Sequence, residues 1–387
     1  MPLNFASVEK NASQYIEQAK QWQLESAEKT SQLNDLYQQA CQDPERLKQI
    51  IELAEESLSS LYTAKPLLES PDSTYPLPAM PAHFTLLAAD GSQIVPSRHR
   101  ALQFGLINVG LFKAQFGSGK TPIIDLVSEL IDFTTIFTDD GALISEDDVG
   151  LIRDLRERVL IREMITSEDI QPVLTVTDGP LDIFYRSDIQ GGKGSQAQKM
   201  VFELDQHMQR DQIITAGFID KPGSAMLHNM LDLFRKAQAT APEVSNNNRI
   251  RISDRLLLQN KIPASHRSAL FEIVSKRKPA SADRLRVAFF YLNVCAQTEQ
   301  PWLARVEIPY WVAQSPELVN FVHAVLYNDA QVLDSHPYPY ALHRAHELAV
   351  VRQAEYEEVE NLLLSKFEGQ IQSFSPRSNK DYWKGQK

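Results

Sequence analysis

HFTLLAADGSQ at residues 83–93 and PVLTVTDGPL at residues 172–181 share one pattern, an apolar strand that stops at Asp-Gly. Between them, SEDDVGLIRDLRERVLIREMI begins at Ser145 with Ser and Asp for a first helical turn and keeps apolar spacing through Ile165. Strand, long helix and second strand predict a mixed α/β sheet. Asp-Gly by itself is an ordinary turn dipeptide. Two of them closing separate strands put Asp90 and Asp178 where neighbouring strand ends can bring carboxylates together. Paired carboxylates suit a hard divalent cation, Mg²⁺ or Mn²⁺, which takes oxygen ligands and serves phosphodiester hydrolysis.

Working outward, ALQFGLINVGLFKA (101–114) reads as a strand beside the first, and TTIFT (134–138) as a third. Further elements are a helix from Ser195 to Met208, a strand at IITAGFI (213–219) and an exposed polar loop at APEVSNNNR (241–249). RVAFFYLNV (286–294) and LARVEIPYWV (303–312) read as a strand pair, and SPELVNFVHAVLYNDA (315–330) as a capped helix. One final long helix is expected after Pro339, running to Phe367. Toward the N-terminus, Val8 to Tyr62 is polar with apolar residues such as Leu47, Ile50, Ile51, Leu53 and Leu58 at helical spacing. Five prolines between Pro66 and Pro81 mark a linker. The expected division is a helical region over 1–65, the linker over 66–81, one α/β domain over 82–375 and a polar basic tail over 376–387.

A chain of 387 residues with 43% hydrophobic content can bury a sizeable core. Cys41 and Cys295 fit neither a disulfide framework nor a zinc site, which suits a reducing cytoplasm. No apolar run nears the roughly 18 to 20 residues needed to span a bilayer, and the first residues lack a signal-peptide pattern. The expectation is a soluble cytoplasmic protein. A net charge of −11 excludes a uniformly basic nucleic-acid coat but leaves room for a local basic track beside clustered acids.

The helix between the Asp-Gly strands offers Glu157 and Glu163 as a third acid. Ile152, Leu155 and Val159 form an apolar stripe that Glu163 continues, whereas Glu157 sits one turn before Leu160, Ile161 and Met164. Periodicity slightly favours Glu163. The ordinary fate of either is a surface ion pair with Arg153, Arg156, Arg158 or Arg162. His346 follows Leu342 and precedes Ala349 and Val350, so it should face inward as a core histidine, with catalysis as the rarer reading. Lys221, after IITAGFI, could meet a phosphate, though a plain strand-end lysine is commoner. FGSGKT at 116–121 mimics the end of a P-loop, but Ala114 stands where that motif needs glycine. A Gly-Ser-Gly turn that offers Lys120 to DNA is the better reading.

LLAADGSQ, VLTVTDGPL, AGFIDKPGS, VEIPYWV and YPYALHRAHELA, in this order, resemble the motifs of the NurA nucleases. The resemblance runs from Phe84 to the C-terminus and is loose around Ala241 to Asp283. It implies an RNase H-like core and a dimer that uses Mn²⁺ or Mg²⁺. It further implies degradation of DNA from 5′ ends beside a hexameric HerA-type ATPase in end processing and repair, with single-strand endonuclease activity as an added mode. Carried onto this chain, it implies Asp90, Glu157 and Asp178 as metal ligands, and Lys221, Tyr338 and His346 as further catalytic residues. It prefers Glu157 because the family acid lies early in the helix. The chain departs from many relatives at Pro180, where a serine hydroxyl is lost and the Asp178 carboxylate stays. The competing class is a non-catalytic RNase H-like adaptor for DNA or a translocase ATPase. Action on RNA is a third reading, since no residue identifies a 2′-hydroxyl reader.

Overall fold

The computed structural model describes residues 4–181, 193–238, 251–276, 285–296, 301–334 and 336–367. In chain order the helices α1 (Phe5–Gln42) and α2 (Pro44–Ser57) lead into strands β1 (Tyr62–Pro66), β2 (Thr74–Tyr75), β3 (Phe84–Ile94), β4 (Leu106–Phe116) and β5 (Ile123–Leu130). Then come α3 (Glu146–Met164), β6 (Val173–Asp178), α4 (Lys193–Arg210), β7 (Ile213–Ile219), α5 (Met226–Gln238), α6 (Asp254–Leu258), β8 (Arg267–Ser268) and β9 (Phe271–Ser275). The chain closes with β10 (Val287–Asn293), β11 (Leu303–Pro309), α7 (Tyr310–Ala313), α8 (Pro316–Gln331), α9 (Tyr340–Ala349) and α10 (Gln353–Phe367). The strands form a mixed sheet of 11 strands flanked by helices, with helices at the N-terminus, as the sequence implied.

Two compact units share the chain. The larger comprises Leu77–Ile219, Lys278–Val287 and Val306–Lys387. Its sheet runs β5-β4-β3-β6-β7, an antiparallel meander of β3, β4 and β5 followed by β6 and β7 parallel to β3. This is the RNase H-like arrangement expected of the Asp-Gly strands. Alternation along β3 sends Leu87 and Ala89 to one face, where they join Ile107, Val109, Leu111, Val173 and the α3 residues Leu160 and Ile161 in one buried cluster. Each buried Leu, Val or Ile side chain in it contributes roughly 1.5 to 3 kcal/mol. On the other face α9 lies directly on β4: a Cβ at Gly110 would stand 2.1 Å from the Ala345 carbonyl oxygen.

Local chemistry sets the boundaries of α3. Ser145 caps it through a reciprocal box with Asp148, and three acids fill the first turn, favoured by the helix dipole. Glycine forms the β4–β5 turn, with Gly117 and Gly119 at φ 76° and 70°. The lysine-bearing turn leads into a strand and not a helix, so no P-loop exists there.

Three expectations are corrected. The third strand is β5, and TTIFT holds only an isolated bridge from Phe137 to Leu143. β5 ends the sheet and is largely exposed, and Asp125, Ser128 and Glu129 interrupt its apolar residues, so it shows no continuous run of the kind that marks a buried strand. The residues Tyr310 to Val312, read as the end of a strand, lie in the helix α7. The long last helix is two helices, because the Ala349 carbonyl accepts hydrogen bonds from Ser92 Oγ and from Asn108 Nδ2 (2.8 Å), and Val350 turns extended. The loop 241–249 and the tail 376–387 lie outside the described residues.

The smaller unit comprises Met1–Pro76, Asp220–Arg277 and Ala288–Arg305. In it β1 pairs with β9 and β9 with β10, while β8 joins β10 to β2. β2 falls inside the proline-rich segment read as a linker. The C-terminal half of α1, together with α2, packs on α5.

Candidate active site

Register brings the two Asp-Gly ends together. β3 and β6 pair in parallel up to Ala89↔Thr177, so Asp90 and Asp178 are the next residues on adjacent strands. β6 ends there as expected, whereas β3 continues through Asp90 and Gly91 to Ile94, paired with β4, so the reading of the first Asp-Gly as a strand end is corrected.

Asp90 is held on two sides. Its Oδ1 accepts the Gly91 N–H at 2.9 Å, and its Oδ2 lies 2.6 Å from His346 Nδ1. A carboxylate can only accept, so the shared hydrogen sits on Nδ1 and leaves Nε2 as the second exchangeable nitrogen. The position of His346 depends on Gly110, which pairs with Asp90 across β3 and β4 and lets α9 approach. The histidine side chain is 61% exposed, so the core reading is corrected. The buried stripe of α9 is Ala341, Leu342, Ala345 and Ala349, and His346 lies one residue beyond it.

From the opposite face of β3, α3 supplies Glu157. It is 5% exposed, in line with Leu160 and Ile161, whereas the Glu163 side chain is 58% exposed and pairs with Arg156 at 3.4 Å. The periodicity preference for Glu163 is therefore corrected: the second apolar stripe faces the sheet. Gly91 makes room for this acid, since a Cβ there would lie 2.6 Å from Glu157 Oε1. Burial pushes the Glu157 carboxyl up to about 8, the Asp154 and Asp90 carboxylates push the same way, and Arg153 and Arg158 oppose. Arg153 Nε stands 3.2 Å from Glu157 Oε1. A buried acid facing other acids, with the guanidiniums of Arg153 and Arg158 only partly opposing them, is a donor set that suits an oxygen-seeking divalent cation. Among the described residues, no group of three or more His, Cys, Asp or Glu side chains is already gathered as a metal cage.

Asp178 is exposed, and the turn after it is tightly fixed. Gly179 takes φ 95° and donates its N–H to the Phe218 carbonyl at 2.9 Å. Gly217 leaves space for this turn, because a Cβ there would stand 2.6 Å from the Gly179 oxygen. Arg158 donates to the carbonyls of Pro180 and Leu181 at 3.0 and 3.2 Å, and the Leu181 N–H donates to the buried Glu307 at 2.9 Å. α3 thus supplies both a buried acid and, one residue later, the clamp on the Asp178 turn. Tyr338 sets its ring edge against Phe218, the register partner of Asp178, at a centroid distance of 5.7 Å. Lys221 belongs to the smaller unit, where its ammonium lies 3.9 Å from the centroid of Trp302.

Sequence reasoning missed Arg153, Arg158 and Glu307 as parts of the site. The i,i+4 spacing of Arg153 and Glu157 was a visible signal. Nothing local marks Glu307, which acts across 126 residues of chain.

The sheet order and its acidic strand ends define an α/β protein of the RNase H-like class. The chain belongs to the NurA family: the model of the NurA domain matches residues 84–351. That membership places it among the nucleases. The NurA nuclease from Sulfolobus solfataricus is similar in structure at 13% identity and a TM-score of 0.47, covering 88% of this chain and 99% of that one. The catalytic domain of human endonuclease V is similar at 10% identity and a TM-score of 0.31, covering 73% and 85%. No curated protein matches the chain in sequence.

Proposed function

We propose that this chain is a metal-dependent deoxyribonuclease that hydrolyses phosphodiester bonds at the centre built from Asp90, Glu157 and Asp178. The observation that carries the reading is the buried Glu157 carboxyl meeting β3 at Gly91, the residue after Asp90. Mn²⁺ or Mg²⁺ held by these three acids would supply Lewis-acid stabilisation of charge on the phosphodiester. Asp90 fixes the imidazole of His346, whose Nε2 protonates the leaving oxygen. Arg153, drawn off Glu157 when its charge is met elsewhere, binds a phosphate oxygen, while Tyr338, Lys221 and Lys120 contact the DNA backbone.

The finer reading is 5′ to 3′ exonuclease action in DNA end processing, with single-strand endonuclease activity as a second mode. The working assembly is a homodimer docked on a HerA-type hexameric ATPase. No helix among the described residues is long and apolar enough to cross a membrane. Cleavage of 5′- and 3′-labelled DNA and RNA, with and without Mn²⁺, tests the proposal. DNA shortened from its 5′ end only when Mn²⁺ is present is the expected result. Binding of DNA or the ATPase without any cleavage would select the adaptor instead, and preferential cleavage of RNA would change the substrate class.

A further inference from the structure

The first half of α1 carries an apolar stripe that nothing in the described chain covers. Phe5, Val8, Ala12, Tyr15, Ala19 and Trp22 recur at alternating steps of three and four, the a and d positions of a heptad. Phe5 and Tyr15 are each 72% exposed, Val8 56% and Trp22 51%, far beyond the scattered surface apolar residue that needs no explanation. The same heptad continues through Ser26, Leu33 and Ala40, all buried where α1 packs within the smaller unit. One continuous stripe is therefore half covered and half open.

The order of sizes along the open half fits a second copy of itself. When two such helices run antiparallel with Ala12 opposite Tyr15, Val8 meets Ala19 and Phe5 meets Trp22, so every large side chain except the terminal aromatic pair faces a small one. A parallel in-register pair would set Ala12 on Ala12 and Ala19 on Ala19, leaving two hollow layers between crowded aromatic ones. The flanking acids Glu9 and Glu25 also stay away from their own copies in the antiparallel arrangement. A membrane surface is a poorer fit, because the open half has only Lys10 and Lys20 against Glu9 and Glu17.

We propose that α1 is a dimerisation arm whose residues 5–22 form an antiparallel two-helix coiled coil with the same segment of a second copy. The paired segment spans roughly 27 Å at about 1.5 Å per residue. This rests on the reading of the chain as a homodimer and names the surface that makes it.

Sedimentation velocity on the full chain tests the arm, comparing wild type with the double variant Tyr15→Lys/Ala19→Glu. Both positions lie on an exposed helix face, and far-UV circular dichroism reports whether the fold persists. A wild-type dimer at micromolar concentration, with the dissociation constant raised at least about tenfold in the variant, is the expected result. Orientation is read by oxidising a mixture of Ala12→Cys and Tyr15→Cys chains, which cross-link to each other when antiparallel. Each variant cross-links to itself when parallel. A variant that dimerises like wild type overturns the arm and leaves the homodimer standing. A wild type monomeric throughout that range overturns both, and self-cross-linking of either single variant overturns the antiparallel register.

Discussion

Glu157 in the larger unit and Asp254 in the smaller are both buried acids, yet their surroundings differ in kind. Asp254, 0% exposed, accepts from Tyr291 Oη at 2.7 Å, Ser224 Oγ at 3.2 Å and the backbone N–H groups of Met226, Leu227 and His228 at 2.9, 2.9 and 3.4 Å. It closes the N-terminus of α5, where a helix leaves its N–H groups without partners. Glu157 has no such set of donors: its ion pair is with Arg153, and its other near neighbours include the carboxylates of Asp154 and Asp90. A buried acid ringed by donors is part of the scaffold. One set against other acids is where the proposed metal site rests, and that contrast in surroundings can be tested residue by residue.

The largest effects should fall on the acidic centre. Asp90→Asn and Asp178→Asn should each cut DNA at background rate while melting like the parent, because each removes an oxygen donor that no neighbour replaces. Full cleavage by either would break the assignment. Glu157→Gln should behave alike in the assay and hold stability, since a carboxyl pushed up to about 8 is largely neutral near pH 7 and the amide is a neutral group of the same size.

Asp254→Ala should do the reverse. Leaving several buried donors unpaired should lower unfolding free energy by about 3 to 5 kcal/mol, measured by urea denaturation. A loss below about 1 kcal/mol would show that Asp254 does not hold the scaffold together.

The next effect is on pH. Burial pushes the Asp254 carboxyl up to about 6, against the hydrogen bonds from Tyr291 and the α5 backbone. A folded value above the unfolded one, near 3.9, means the group adds stability that is fully present below about pH 4 and is lost as pH rises through about 6. The change amounts to about 3 kcal/mol. Asp254→Asn should flatten that part of the stability profile, and a profile unchanged in the variant would assign the slope to other groups.

The smallest effect is expected at Glu163. Its exposed pair with Arg156 should contribute under about 1 kcal/mol, and Glu163→Gln should cleave within about twofold of the parent. A dead Glu163→Gln beside an active Glu157→Gln would reverse the choice between them.

Local pattern alone gave the strand start before Asp90, the end of β6 at Asp178, the start of α3 at Ser145, the capped α8 and the span of β7. These features depend on side-chain alternation and on caps completed within a few residues, so a short window contains their cause. Which stripe of α3 meets the sheet is set by packing, because two stripes of similar apolarity compete and contact with Leu87, Ala89 and Val109 selects the one with Glu157. The tertiary structure also decided that His346 meets Asp90 across 256 positions of chain, which requires Gly110 to admit α9. The end of α9 was equally beyond reach of local pattern, since the groups that stop it, Ser92 and Asn108, belong to strands more than two hundred residues earlier. Contacts between distant segments form only once the fold closes, and their cause lies in no single window of the chain.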